Sequence, residues 1–110
     1  MNEHRKHKRY NLKLAIALVD EHGEHGRYHG QTKDISEDGC SVLLEHNVHF
    51  SNEVRILLSL HRSVIEIYGK NVYTVYSASD QTFRMGIRFV LFKRKGREKL
   101  ENFLASKVLY

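Results

Sequence analysis

Apolar and polar residues alternate with a period of two through three stretches of the chain. Leu12, Leu14, Ile16 and Leu18 are interleaved with Lys13, Ala15 and Ala17; Val54, Ile56, Leu58 and Leu60 with Arg55, Leu57 and Ser59; Phe83, Met85, Ile87 and Phe89 with Arg84, Gly86 and Arg88. Successive side chains of a strand point to opposite faces, so each stretch predicts a strand with one face buried. A fourth strand, from about Arg27 to Lys33, enters the polar run Asp34 to Gly39 (DISEDG), and a fifth, Cys40 to Glu45, leaves it. The sixth is a long extended stretch from Val64 to Tyr76. Its apolar parity moves from Ile65 and Ile67 to Val72 and Tyr76, which predicts a bulge near Gly69, with a hairpin there as the alternative. Turn signals fall at His22 to Gly26, Glu37 to Gly39, Asn47 to Asn52 and Ser77 to Gln81.

The period changes near the C-terminus. Leu100, Phe103, Leu104 and Val108 follow helical spacing, and Lys95, Arg97, Lys99 and Lys107 take the other face. The fold class is therefore all-β with a C-terminal helix: six short strands in a small antiparallel β-barrel, one mouth closed by one amphipathic α-helix. Residues 1–10 read as a flexible basic segment and 11–110 as a single domain.

Length and composition narrow the function. A chain of 110 residues supports one core. It has no apolar run long enough to span a bilayer and no apolar stretch behind its basic N-terminus, so neither membrane insertion nor secretion is indicated and the expected location is cytoplasmic. Cys40 is the only cysteine, which excludes an intrachain disulfide and a thiolate zinc site; following a turn glycine, it reads as a small buried hydrophobe. The net charge of +5 favours an anionic partner without choosing one.

Catalysis finds little support. Glu21, Glu24, Glu37, Asp38 and Asp80 sit in predicted turns, where carboxylates are solvated, and no nucleophile, base and orienting group form a recognisable motif. His22, His25 and His29 cluster in a Gly-rich loop with the right chemistry for a transition metal, but such a loop lacks groups to orient the imidazoles; a solvated polar loop is the expectation, with no metal and no catalytic cofactor.

Two short motifs remain. Arg5 and Arg9 form R-x-x-x-R immediately before the first strand, a spacing that Arg84 and Arg88 repeat inside a strand, where they are expected to face solvent. Two strands later, Asp34, Ser36 and Gly39 form D-x-S-x-x-G, a turn in which Asp and Ser bond nearby amides and Gly tolerates positive φ. In this order and context, with the closing strand RMGIRFV and the terminal helix, nearly the whole chain resembles the PilZ domain family of bacterial receptors for cyclic di-GMP. The resemblance implies a PilZ-like barrel with cyclic di-GMP as its regulatory ligand and a downstream effector protein as its partner. It also implies that Arg5 and Arg9 close over the ligand, that Asp34 accepts from a guanine edge, that Ser36 donates to phosphate or orders the turn, and that Gly39 lets the backbone approach. Guanine O6 and N7 suit the parallel donors of arginine, and the phosphodiesters need cations or amide donors.

The sequence departs from the family pattern twice. His4 stands where many members carry another arginine, which leaves one or two bound ligands open, and Lys8 stands where proline is common, which frees φ in the segment before binding. Two other readings stand beside the receptor: a degenerate member acting only through protein contacts, and a basic barrel for single-stranded nucleic acid. The latter needs Tyr28, Tyr73 and Tyr76 on one face beside Arg84 and Arg88.

Overall fold

The computed structural model describes residues 8–20, 26–51 and 53–107. Six strands follow in order: β1 (Ala15–Asp20), β2 (Gly26–Ile35), β3 (Gly39–Leu44), β4 (Val54–Ser59), β5 (Val64–Ser77) and β6 (Thr82–Phe92). The helix α1 (Gly96–Ala105) comes last. All neighbours are antiparallel, and the sheet closes in the order β1-β2-β3-β6-β5-β4, with β4 returning to β1 through pairs such as Ile16 with Leu58. The inward positions are those that the alternation selects: Ile16, Leu18, Val54, Ile56, Leu58, Met85 and Ile87 are all buried. Burying a side chain of this size stabilises the fold by about 1.5–3 kcal/mol, less the entropy of ordering it.

β5 is one continuous strand, not a hairpin, and its register against β6 shifts between Tyr68 and Gly69 and again between Asn71 and Tyr73. The expected irregularity near Gly69 is thus present, with Val90 of β6 as its extra residue, and a second, at Val72, lies on β5 itself. β4 ends at Ser59, earlier than the alternation through Leu60 implies. The Leu60 amide donates to the Ser63 carbonyl at 2.7 Å, a reversal in which Ser63 is the one turn-favouring residue and no Gly, Pro, Asn or Asp takes part.

The N-terminal alternation also overshoots, because β1 begins at Ala15 and not at Leu12. Thr32, fully buried on β2, is the reason. Its hydroxyl donates to the Leu12 carbonyl at 2.6 Å and accepts from the Leu14 amide at 2.9 Å, so a side chain replaces regular ladder bonds. Beyond this interruption the chain rejoins β2: Tyr10 and Ile35 exchange both backbone hydrogen bonds, at 2.8 and 2.9 Å. Thr32→Val keeps the shape but strands two backbone groups and should cost about 1–3 kcal/mol. Thr32→Ser keeps the hydroxyl and should cost less; equal losses in the unfolding midpoint would show that the hydroxyl is not what matters.

The helix has Leu100 and Leu104 in the core cluster and packs against β5. Val108, expected to extend the apolar stripe, lies outside the described residues. Arg97 covers the Phe92 ring at 4.5 Å and Lys107 the Phe103 ring at 4.8 Å, so the basic face shields aromatic surface as well as facing solvent. No helix among the described residues is long and apolar enough to cross a membrane.

Candidate functional site

The polar run between β2 and β3 is a tight turn whose groups are largely satisfied within it. The Ser36 amide donates to the Gly39 carbonyl at 2.8 Å, and the Asp38 amide donates to Ser36 Oγ at 3.1 Å. The Ser36 hydroxyl is buried and contacts the Gly39 carbonyl at 3.4 Å. Of the two roles the resemblance offers Ser36, ordering the turn is the one this geometry displays. Gly39 does not use the conformational freedom of a turn glycine. Its φ is not positive; Gly26 is the glycine in that region among the described residues. A Cβ at Gly39 would instead collide with the Ile87 carbonyl oxygen, so the glycine answers to the close approach of β6, not to turn conformation.

Asp34 owes its direction to a bulge. Thr32 pairs with Val42 and faces the core, so regular alternation would send Asp34, two residues on, inward as well. The β2–β3 register shifts between Thr32 and Asp34, leaving Lys33 as the extra residue, and Asp34 pairs with Ser41 on the outer face while Ile35 turns into the core. The Tyr10–Ile35 bridge then sets Arg9 beside it. Arg9 Nη1 donates to Asp34 Oδ1 at 2.7 Å, with the two side chains 39% and 23% exposed. In high dielectric such a pair contributes about 0.2–1 kcal/mol to folding, so it is a weak fastening. Arg5, the other arginine of the motif, lies outside the described residues.

Arg9 forms one wall of an open cleft of about 250 Å³ that runs over Asp38 and Gly39 to Tyr73, Gly86 and Arg88. Arg88 pairs with Gly39 across β3 and β6, and Tyr73 pairs with Gly86 across β5 and β6. The Tyr73 ring occupies the space that a side chain at residue 86 would need. Glycine at that outward position is therefore what seats the ring in the cleft. From sequence Tyr73 and Arg88 enter only the nucleic-acid reading and are not placed with Arg9; the one signal of this cleft is a glycine inside a strand, which marks a close approach. Arg88 is exposed as expected, but Arg84 is half-buried, its Nε enclosed without a hydrogen-bond partner among the described residues.

Cys40 lies beneath this region, and its thiol is pushed up to about 12, first by burial and then by the Asp34 carboxylate, against an opposing effect from Arg9. At neutral pH it is a protonated core side chain. His22 and His25 lie outside the described residues, His29 is exposed on β2, and no metal-binding group of three or more His, Cys, Asp or Glu forms among the described residues. The three tyrosines do not share a face. Tyr28 sits on β2 edge-on to Phe50, Tyr73 lies in the cleft, and Tyr76, of opposite parity on β5, packs on Phe83 at 4.9 Å between ring centroids. The stacking platform that a single strand of nucleic acid needs is absent among the described residues.

The sequence matches the family model of the PilZ domain over residues 3–106. The chain belongs to the PilZ domain family. No curated protein matches its sequence. Several solved structures share its fold at low identity. The Bacillus subtilis inhibitor of motility MotI/DgrA is 15% identical with a TM-score of 0.81, over 98% of this chain and 53% of that one. MrkH of K. pneumonia, solved as a c-di-GMP complex, is 20% identical with a TM-score of 0.72, over 98% and 53%. The PilZ domain of Escherichia coli YcgR, solved with c-di-GMP, is 13% identical with a TM-score of 0.68, over 94% and 91%. This chain thus spans about half the length of the first two proteins and nearly all of the isolated YcgR domain.

Proposed function

We propose that this PilZ domain is a cyclic di-GMP receptor, not an enzyme, and that ligand binding reorganises its N-terminal segment to regulate an effector protein in the cytoplasm. The observation that carries this reading is the Arg9–Asp34 pair at the mouth of the cleft. A guanine presents acceptors at O6 and N7 and donors on its Watson–Crick edge. An arginine and a carboxylate side by side offer the complementary set, so the base can replace the ion pair with one contact to each partner. Arg88, across the cleft, supplies a cation for a phosphodiester, and the Tyr73 ring offers a flat apolar wall to a purine. Family membership and relatives solved with c-di-GMP support the same ligand. In this reading Arg5 joins Arg9 over the nucleotide, and Ser36 and Gly39 hold the turn in shape.

Titration calorimetry with cyclic di-GMP, GTP and an oligonucleotide tests the proposal. Saturable binding of the cyclic dinucleotide, at least about tenfold tighter than GTP, is expected. Heat only from the oligonucleotide would replace it with the nucleic-acid reading. Heat from none of the three would leave a module that works through protein contacts alone.

A further inference from the structure

The ladder between β4 and β5 stops at the pair Val54–Gly69, whereas β5 runs on to Ser77 against β6. Residues 70–77 therefore form an edge in a barrel that is otherwise closed, with no second strand beside them among the described residues. An edge strand presents unpaired N–H and C=O groups, and proteins blunt such edges with lysines, prolines, bulges or short length. Here Lys70 and the bulge at Val72 guard only the first residues, while Tyr73 to Ser77 pair regularly with β6. Along this edge Val72, Tyr73, Val75 and Tyr76 are 61%, 42%, 49% and 52% exposed. Nothing charged lies between Lys70 and Asp80, although 28% of the chain is charged.

We propose that this edge pairs with the same edge of a second copy of the chain, giving a reversible two-fold dimer joined through β5. Antiparallel pairing centred on Thr74 sets Thr74 against Thr74, Tyr73 against Val75 and Val72 against Tyr76. Each apolar pair thus joins an aromatic with a β-branched residue, a favourable cross-strand combination, and each occurs twice, as a two-fold axis requires. The register also carries Lys70 of one copy toward the turn that bears Asp80 of the other, so the charges that precede and follow the strand in sequence are complementary across the axis. The four partly exposed side chains offer on the order of 400 Å² per copy, below the roughly 800 Å² per partner of a stable complex. The dimer is accordingly weak, with a dissociation constant of roughly 100 µM.

Sedimentation equilibrium from about 10 µM to about 1 mM, a range spanning that constant, should show the wild-type chain passing from monomer to dimer. Val75→Lys puts a charge on the edge, outside the ligand cleft, and should weaken association at least about tenfold while the melting curve stays that of a folded barrel. Val64→Lys alters a still more exposed valine on the part of β5 that β4 already covers and should leave association unchanged. Amide exchange on the wild-type protein supplies a readout that needs no variant: protection within Tyr73–Ser77 should rise with concentration. A monomer at every concentration overturns the proposal, as does a dimer indifferent to Val75→Lys or protected elsewhere on its surface.

Discussion

Gly39→Val should lower the unfolding midpoint by about 10 °C or more and abolish binding of cyclic di-GMP. The site of the clash is backbone. The new Cβ would overlap the Ile87 carbonyl oxygen and press on Cα of Arg88, and neither can swing aside as a side-chain tip can. Relief requires β3 and β6 to separate at the pair Gly39–Arg88, at the base of the cleft. Forced overpacking of this kind costs about 1–3 kcal/mol, occasionally more, and here the lost strand pairing adds to it. Gly26→Ala provides the contrast, since Gly26 has φ of 77° and an added methyl there would meet nothing within 4 Å, so only conformational strain of about 1 kcal/mol applies. If Gly39→Val melts no lower than Gly26→Ala, the close approach of β6 is not what demands glycine.

Arg9→Ala and Asp34→Ala should each weaken cyclic di-GMP binding by about 1.5–3 kcal/mol, ten- to more than a hundredfold, and the double variant should lose less than the sum. The two side chains are expected to recognise one guanine together, so once either is gone the other has less to contribute. Folding should hardly respond, because the pair is partly exposed and contributes little in water. Lys8→Ala is the control: it removes an equal charge from the neighbouring position, where the ammonium rests 5.4 Å from the centre of the Tyr10 ring. Its effect on affinity should be within about threefold. Equal losses at Lys8 and Arg9 would point to diffuse attraction between a basic surface and an anion. Additive losses at Arg9 and Asp34 would mean that they touch separate parts of the ligand.

The barrel was legible because its inward residues keep strict parity: Val54, Ile56 and Leu58 are buried while Arg55, Leu57 and Ser59 between them are half-buried. Where the sequence misled, a local bond had overridden the pattern. The Thr32 hydroxyl interrupts the start of β1, and Leu60 to Ser63 reverse the chain with no Gly, Pro, Asn or Asp to mark the turn. Asp34 could be named from its motif, but its direction could not, since alternation from Thr32 points it into the core and the bulge that reverses it at Lys33 has no signature of its own. That Tyr73 and Arg88 share a cleft with Arg9 was beyond reach for another reason. They meet Arg9 only through lateral pairing of β3, β6 and β5, strands far apart in sequence, and Gly86 was the single trace of that meeting.

The bridge between Tyr10 and Ile35 has a bearing on how two arginines can cooperate. Ile35 is fully buried, so this bridge is a fixed pivot, and it lies one residue beyond Arg9. Covalent geometry keeps Arg5 within about 14 Å of Arg9, at no more than about 3.6 Å per residue. Once a nucleotide engages Arg9, the encounter with Arg5 is intramolecular, with an effective concentration on the order of millimolar for so short a tether. Under the proposed function the pair acts as a chelate: a ligand that loses one guanidinium is still held near it by the other, and its escape requires both to let go at once.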